Sequence, residues 1–180
     1  MIEAIEGTCF YFAYGSNMCT RKLQEVSGCP SAVALAVARL PRHELQFRMG
    51  SKKQKDSCGV NAWETGNEES VVWGVLFRIT DAERRALIRV EGEGGWGYAP
   101  TDVAVFPRDS DQPVTALVMM VRPTDVNPAG RPFDWYVRYC LEGAWQNDLP
   151  ADYISKWIMS QEFARDPNDK QRSDHIHFCC

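Results

Sequence analysis

Residues 8–17 read TCFYFAYGSN, a compact apolar and aromatic run that ends in Gly15, Ser16 and Asn17. Such a run, followed by a turn, is typical of a buried strand. The amides of the turn have no partner in a sheet, so they can converge on a carboxylate or a developing oxyanion, and Gly15 lets a ligand approach the backbone. A plain turn into a short helix over residues 17–26, capped by Asn17, would use the same residues, and this stretch alone favours that alternative.

The rest of the chain places its strand patterns before most of its helix patterns. The predicted strands are residues 8–14, 31–40, 44–49, 58–63, 70–79, 98–106 and 113–121. The second and third of these form a strand pair, or one bent strand interrupted at Pro41, and the fourth and fifth form a hairpin. The predicted helices are residues 81–90, 133–146 and 150–159. This order favours an α+β fold over a doubly wound parallel sheet.

The predicted helix over residues 81–90 leads into the second stretch that could carry chemistry. Thr80-Asp-Ala-Glu83 matches the capping box that begins a helix. Residues 89–98 then read RVEGEGGWGY, with two glutamates, Glu91 and Glu93, among glycines and aromatic residues. Glycines are costly to order, so a loop this rich in them suggests a shape built around a ligand, where a carboxylate is suited to proton transfer. A solvated turn with two surface glutamates is the common alternative.

Length and composition predict one domain, residues 1–165, followed by a flexible tail, residues 166–180. The 180 residues are 44% hydrophobic, enough for a core without disulfides or metals. The net charge of −4, from 20 Lys and Arg against 24 Asp and Glu, argues against a nucleic-acid partner. No apolar window is long enough to predict a membrane-spanning segment, and the first residues do not resemble a secretory signal.

The seven cysteines cannot all pair within one chain, and none forms a Cys-x-x-Cys motif. Their spacing relative to the three histidines does not resemble a zinc site. We therefore expect reduced thiols, a cytoplasmic protein and no metal. Cys9 and Cys140 lie in apolar elements and are expected to be core residues. The terminal pair, Cys179 and Cys180, has no assigned role.

Several motifs occur together and in one order along the chain. They are YFAYGSN at residues 11–17, ARL at 38–40, VWG at 72–74, Glu-Gly-x5-Tyr at 91–98, Tyr-x6-Gly-Ala at 136–144 and Asn-x-Leu-Pro at 147–150. The set covers roughly residues 8–160 and resembles the gamma-glutamylcyclotransferase family. The YGSN motif is shared by related subfamilies, whereas the Glu91 loop and the Tyr136 helix point to the enzyme itself.

The resemblance implies a small mixed β-barrel flanked by helices, and an enzyme that needs neither metal nor organic cofactor. Its substrate would be a gamma-glutamyl dipeptide, converted to 5-oxoproline and a free amino acid. The resemblance also suggests a homodimer. The family's general acid/base matches Glu91 rather than Glu93, because Glu91 directly precedes Gly92 and lies seven residues before Tyr98. The matching substrate-binding residues are Tyr11, Phe12, Ala13, Tyr14, Gly15, Ser16, Asn17, Tyr98 and Tyr136.

The implied reaction explains why the sequence offers few candidate catalytic residues. The substrate carries its own nucleophile, so one carboxylate that accepts and returns a proton is sufficient and no Ser–His–Asp triad is required. Two alternatives stay open. One is a relative that acts on gamma-glutamyl amines or glutathione. The other is a catalytically silent binding module of the same fold, although such a module has no need for Glu91.

Overall fold

The computed structural model describes residues 2–3, 5–50, 57–93, 97–121 and 130–178 of the chain. The strands are β1 (Thr8–Ala13), β2 (Val33–Pro41), β3 (His43–Gly50), β4 (Cys58–Glu64), β5 (Val71–Thr80), β6 (Tyr98–Pro107) and β7 (Val114–Val121). The helices are α1 (Thr20–Glu25), α2 (Asp81–Ile88), α3 (Asp134–Gln146), α4 (Ala151–Tyr153) and α5 (Asp169–Phe178). A 3-10 turn (Ser16–Met18) precedes α1, and π-helical turns follow α2 (Arg89–Glu93) and α4 (Ile154–Met159).

The described strands form a closed barrel in the order β1-β5-β2-β6-β7 and a separate two-stranded sheet, β3-β4. Neighbours in the barrel are antiparallel except where β7 closes it against β1 in parallel, with Tyr11 opposite Leu117. Phe12, Phe77 and Leu117 are at most 1% exposed and lie in the core. The predicted α+β fold and mixed barrel are therefore confirmed.

Gly74 explains why β1 and β5 can pack so closely. A Cβ on Gly74 would lie 2.3 Å from the carbonyl oxygen of Ala13 and 2.8 Å from the Phe12 ring. Any side chain at this position would therefore push β1 out of place. The VWG motif at residues 72–74 thus fixes the strand from which the Gly15 turn extends.

The strand positions were predicted well, but two strand pairings were wrong. The predicted hairpin of β4 and β5 does not form, because β1 and β2 pair along β5 while β4 pairs with β3. Likewise β2 and β3 neither pair nor form one bent strand. The chain turns at Arg42, whose φ is 64°, and β3 leaves the barrel. β3 and β4 form the second sheet, and β4 supplies part of the cavity described below.

The capping box at α2 is present, since Glu83 N donates to Thr80 Oγ1 at 3.2 Å and Thr80 N donates to Glu83 Oε2 at 2.7 Å. α3 packs on the 3-10 turn through Gly143, where a Cβ would lie 2.3 Å from the backbone nitrogen of Cys19. In the described part of the chain, no helix has the length and apolarity needed to cross a membrane.

α5 lies in the segment that the sequence predicted to be a flexible tail. The sequence signals no helix there because the residues are polar and show no apolar stripe. The helix nevertheless contacts α3, where the ring of His175 stacks on Trp135 at 4.1 Å between centroids. Arg172 also pairs with Asp134 at 2.6 Å. The boundary at residue 165 stays a prediction, and Cys179 and Cys180 lie outside the described residues.

Candidate active site

A cavity of about 160 Å³ opens where β1 leaves the barrel and enters the Gly15 turn. Its walls come from β1, the 3-10 turn, α1, β4, the π-helical turn after α2, β6, β7, α3 and α5. The lining residues are Tyr11, Tyr14, Gly15, Ser16, Asn17, Lys22, Val26, Ser27, Gly59, Val60, Val90, Glu91, Tyr98, Met119, Trp135, Tyr136, Gln171 and His175. Most of the predicted site residues therefore surround one small space.

Phe12 and Ala13 are the two predicted site residues that do not line the cavity. They are 0% and 1% exposed, and Phe12 packs against Gly74 in the barrel core. Their assignment as substrate-binding residues receives no support from the lining of the cavity and stays a prediction. Phe12 and Ala13 point to opposite faces of β1, as successive strand residues do, and the core encloses both of them.

The Gly15 turn is held against β4 without any room for a side chain. A Cβ on Gly15 would lie 2.5 Å from Val60 Cγ1 and 3.3 Å from the Tyr136 hydroxyl. Among the described residues, the backbone N–H groups of Gly15 and Ser16 have no acceptor. They can donate to an oxygen atom of a bound molecule, and the predicted role of this turn in substrate binding stays a prediction.

Two tyrosine hydroxyls form hydrogen bonds with the backbone of Val60. Tyr98 Oη donates to the Val60 carbonyl at 2.7 Å, and Val60 N donates to Tyr136 Oη at 3.1 Å. Tyr14 Oη donates to the carbonyl of Met119 at 2.6 Å. These bonds join β1, β4, β6, β7 and α3 around the cavity, which fixes its shape.

The tyrosines of the cavity are neutral hydrogen-bonding groups. Burial raises the pKa of Tyr11 and Tyr14 above the ordinary value of 10, and the negative charge of Glu91 raises both further. Burial likewise raises the pKa of Tyr98 and Tyr136. Because their hydroxyls stay protonated near neutral pH, none of these tyrosines can act as a general base. A general base in this cavity must therefore be another group.

Glu91 brings the acidic group to this cavity. It lies in the π-helical turn that follows α2, and widened turns of this kind are frequent at functional sites. Its Oε1 accepts a hydrogen bond from Asn17 Nδ2 at 3.0 Å. Residues 94–96, which include Trp96 of the glycine-rich stretch, lie outside the described residues, as does the side chain of Glu93.

Asn17 has a different position from the one predicted. It is the middle residue of the 3-10 turn rather than a helix cap, and its side chain makes no capping bond to α1. It is 7% exposed, and its amide nitrogen also contacts Tyr11 Oη at 3.1 Å. Asn17 therefore links the strand motif at residues 11–17 directly to the Glu91 motif, 74 residues later.

Sequence reasoning missed a whole wall of the cavity. Gln171 and His175 of α5 line it together with Trp135, on which His175 stacks with an interplanar angle of 16°. His175 Nδ1 also lies 3.2 Å from Tyr139 Oη. No pattern in the polar tail indicated this role, because the contact is made in three dimensions by a helix without an apolar stripe.

The described residues contain no cluster of three or more His, Cys, Asp or Glu side chains that could hold a metal ion. The described cysteines are free thiols: Cys9, Cys19, Cys29, Cys58 and Cys140. None of them lines the cavity. Burial raises the pKa of both Cys29 and Cys58 to about 12, so these thiols are protonated at neutral pH.

The arrangement suits proton transfer to a small polar molecule. Glu91 and Lys22 are the charged side chains among the lining residues, and the remaining groups are neutral donors, backbone amides and apolar side chains. A carboxylate can take and return one proton beside amides that stabilise negative charge on an oxygen. Acyl transfer within a bound substrate needs both elements.

Comparison with known proteins gives one consistent result. Residues 71–157 match the AIG2-like family. A gamma-glutamylcyclotransferase of Bos taurus is 30% identical over 149 residues, which are 81% of this chain and 75% of that protein. The corresponding protein of Homo sapiens is 28% identical over 170 residues, which are 91% and 82% of the two chains.

Solved structures show the same fold. A gamma-glutamyl cyclotransferase superposes with a TM-score of 0.79 at 23% identity and covers 94% of this chain and 98% of its own. A yeast gamma-glutamyl cyclotransferase specific to glutathione superposes with a TM-score of 0.58 at 10% identity, over 86% and 95% of the two chains.

Proposed function

The chain belongs to the gamma-glutamylcyclotransferase family, and on that premise we propose that it converts gamma-glutamyl amino acids to 5-oxoproline and the free amino acid. Glu91 is the general acid/base of this reaction. One observation carries the proposal: the only carboxylate among the described lining residues, Glu91, shares a small cavity with the unpaired amides of Gly15 and Ser16.

The reaction is an aminolysis within one molecule. Glu91 removes a proton from the α-ammonium group of the substrate, whose nitrogen then attacks the γ-carbonyl carbon to form a five-membered ring. The bond to the departing amino acid breaks as its nitrogen takes up a proton from Glu91. Overall, two protons leave the attacking nitrogen and two reach the leaving nitrogen, so atoms balance without water or another reactant.

The remaining lining groups act by positioning and charge stabilisation. Ring closure requires a folded glutamyl chain, and well-oriented intramolecular reactions gain roughly 7 to 11 kcal/mol. The amides of Gly15 and Ser16 supply donors for the oxygen that becomes negative when the γ-carbonyl is attacked. Tyr98 and Tyr136 keep β4 in place through Val60, and thereby hold the cavity to the size of the folded substrate.

Replacement of Glu91 by Gln tests the proposal. Gln keeps the size and the carbonyl oxygen that accepts from Asn17 Nδ2, but it cannot take up a proton. We expect 5-oxoproline formation from gamma-glutamyl-alanine to fall by about 10²- to 10⁴-fold, the usual contribution of general acid/base catalysis. The thermal unfolding midpoint should stay close to that of the wild type.

Glu93→Gln is the matched control, because it makes the same substitution two residues further along and is expected to act much more weakly. Parallel assays with gamma-glutamyl-lysine and glutathione distinguish the dipeptide enzyme from relatives with other substrates. Near-normal turnover by Glu91→Gln would refute the role of Glu91. Absence of 5-oxoproline from all three substrates with the wild-type protein would instead favour a binding module.

The homodimer and the cytoplasmic location stay predictions that rest on the family resemblance and on the cysteine pattern. Light scattering of the purified protein measures the first. Fractionation of the native cells, followed by detection of the protein, measures the second.

A further inference from the structure

We propose that Lys22 and Ser27 are positioning residues that fix the amide of Asn17 in the one orientation that holds Glu91 for proton transfer. This inference rests on the proposed role of Glu91 and deepens it. It also changes the role of Asn17, which the sequence assigned to substrate binding.

The Asn17 side chain is fully engaged within the protein. Its amide nitrogen donates to Glu91 Oε1 at 3.0 Å and to Tyr11 Oη at 3.1 Å. Its carbonyl oxygen accepts from Lys22 Nζ at 2.7 Å and from Ser27 Oγ at 2.8 Å. Both N–H groups and both lone pairs are therefore used. The amide acts as a link inside the protein rather than as a substrate contact.

Lys22 determines which way this link points. An ammonium group can only donate hydrogen bonds and a carboxylate can only accept them, so the oxygen of Asn17 must face Lys22 and the nitrogen must face Glu91. A hydroxyl such as Ser27 Oγ can donate or accept and cannot impose the orientation alone. Without Lys22 the amide could rotate by 180° and present its oxygen to the Glu91 carboxylate, which would repel it.

Ser27, two residues after the end of α1, completes the cluster. It is 1% exposed, and Lys22 Nζ donates to its hydroxyl at 3.2 Å while that hydroxyl donates to Asn17. The three side chains form a closed triangle of hydrogen bonds at the edge of the cavity. Through the hydrogen bonds of Asn17, α1 and the residues after it are linked to Glu91, which lies on a separate element.

A double-mutant cycle between Lys22 and Asn17 tests the proposal. With gamma-glutamyl-alanine as substrate, Lys22→Met should lower kcat by about 10- to 100-fold, the range expected when a reacting group is displaced by up to about 1 Å. KM should change less than kcat. In an Asn17→Ala background, the same Lys22→Met substitution should have almost no further effect, because the link it controls is already gone.

Three further variants complete the design. Lys22→Arg keeps a cationic donor and should restore most of kcat, whereas Arg21→Met removes a neighbouring exposed cation of the same helix and should leave kcat unchanged. Ser27→Ala removes a single oxygen, so the protein should remain folded, and kcat should fall by a smaller factor than in Lys22→Met. Thermal unfolding midpoints identify any variant that loses activity by unfolding.

Two results would overturn the inference while leaving the proposed function intact. A rise in KM with unchanged kcat in Lys22→Met would mean that Lys22 binds substrate directly. An undiminished effect of Lys22→Met in the Asn17→Ala background would mean that Lys22 does not act through Asn17. Failure of the proposed function is a separate outcome, because it would appear as turnover by Glu91→Gln.

Discussion

The cavity has two walls that are built in different ways. The barrel wall consists of Tyr11, Gly15, Glu91 and Tyr98, on or directly after strands and helices that continue into the core. The α5 wall consists of Gln171 and His175, on a helix that reaches the cavity from the end of the chain. The sheet fixes the barrel wall, whereas the α5 wall is attached to α3.

The difference lies in the number and kind of contacts that hold each wall. β1 pairs with β5 over six residues, and Tyr11 and Tyr14 are 4% and 5% exposed. α5 is held through the stack of His175 on Trp135, the contact with Tyr139 and the ion pair between Arg172 and Asp134. Elements with fewer buried contacts open more easily. We therefore expect the proposed chemistry to depend on the barrel wall, and the fit of different leaving groups to depend on the α5 wall.

Among the substitutions that compare the two walls, the largest effect should come from adding one methyl group to the barrel wall. In Gly15→Ala, the new Cβ would meet Val60 Cγ1 at 2.5 Å, so β4 and the turn must move apart. A displacement of about 1 Å at the reacting groups is expected to lower kcat by about 100-fold. Overpacking should also lower the free energy of unfolding by about 1–3 kcal/mol. Steady-state kinetics and urea unfolding measure the two effects.

A second substitution at the clashing atom sharpens this prediction. Val60→Ala removes Cγ1, and the Val60 Cβ lies 3.9 Å from the position of the new methyl group, an ordinary contact distance. The double variant should therefore recover much of the activity that Gly15→Ala loses, measured relative to Val60→Ala alone. Lack of any recovery would show that the contact with Val60 is not the cause of the loss in Gly15→Ala.

On the α5 wall, loss of a side chain should affect substrate binding more than turnover. His175→Ala removes the stack on Trp135, and such pairs contribute about 0.5–1.5 kcal/mol. α5 should be held less tightly. KM should rise by about 3- to 10-fold if the whole free energy of this contact is lost from substrate binding. kcat should change little because Glu91 and the Gly15 turn are untouched.

Ser173→Ala, on an exposed position of the same helix, is the matched control and should leave both constants unchanged. A set of gamma-glutamyl dipeptides with small and bulky leaving residues shows whether the KM effect depends on the leaving group. A fall in kcat with constant KM in His175→Ala would place α5 in the chemistry and remove the distinction between the two walls.

The same division explains what could be predicted from the sequence. The barrel-wall residues lie in short motifs whose local pattern reflects strand, turn and cap, so their positions and their convergence were predicted, apart from the core-facing Phe12 and Ala13. Strand pairing could not be predicted, because the turn between β4 and β5 does not reveal that both edges of β5 are taken by other strands. The α5 wall was missed because its residues become a surface only when they meet α3.

The triangle formed by Lys22, Ser27 and Asn17 could be predicted only in part. Asn17 belongs to the YGSN motif and lines the cavity, whereas the predicted helix cap does not form, because its amide is engaged by Glu91 and Lys22. Lys22 and Ser27 lie on or just after α1, at spacings of five and ten residues from Asn17. Nothing in the sequence distinguishes them from the exposed polar residues beside them.

The smallest expected effect is a pH dependence of stability that originates in the α5 wall. Burial lowers the pKa of His175 below the ordinary value of 6.5, and the positive charge of Lys22 lowers it further, against the opposing effect of Asp166 and Asp174. The folded state therefore favours the neutral ring. The contribution of this group is complete above pH 6.5, and it is lost as the pH falls through the lower pKa of the folded state.

His175→Phe isolates this contribution, because Phe keeps a flat ring to stack on Trp135 but does not titrate. Between pH 7.5 and pH 5, the unfolding midpoint of the wild type should fall further than that of the variant by about 1–2 °C, since 1 kcal/mol corresponds to only about 2–4 °C in a chain of this size. Lys22→Met should reduce the wild-type slope in part, because it removes the charge that disfavours the protonated ring. Calorimetry across this range measures both slopes. Equal slopes in the wild type and His175→Phe would mean that protonation of His175 does not weaken the packing of α5 on α3, and this origin of the pH dependence would be refuted.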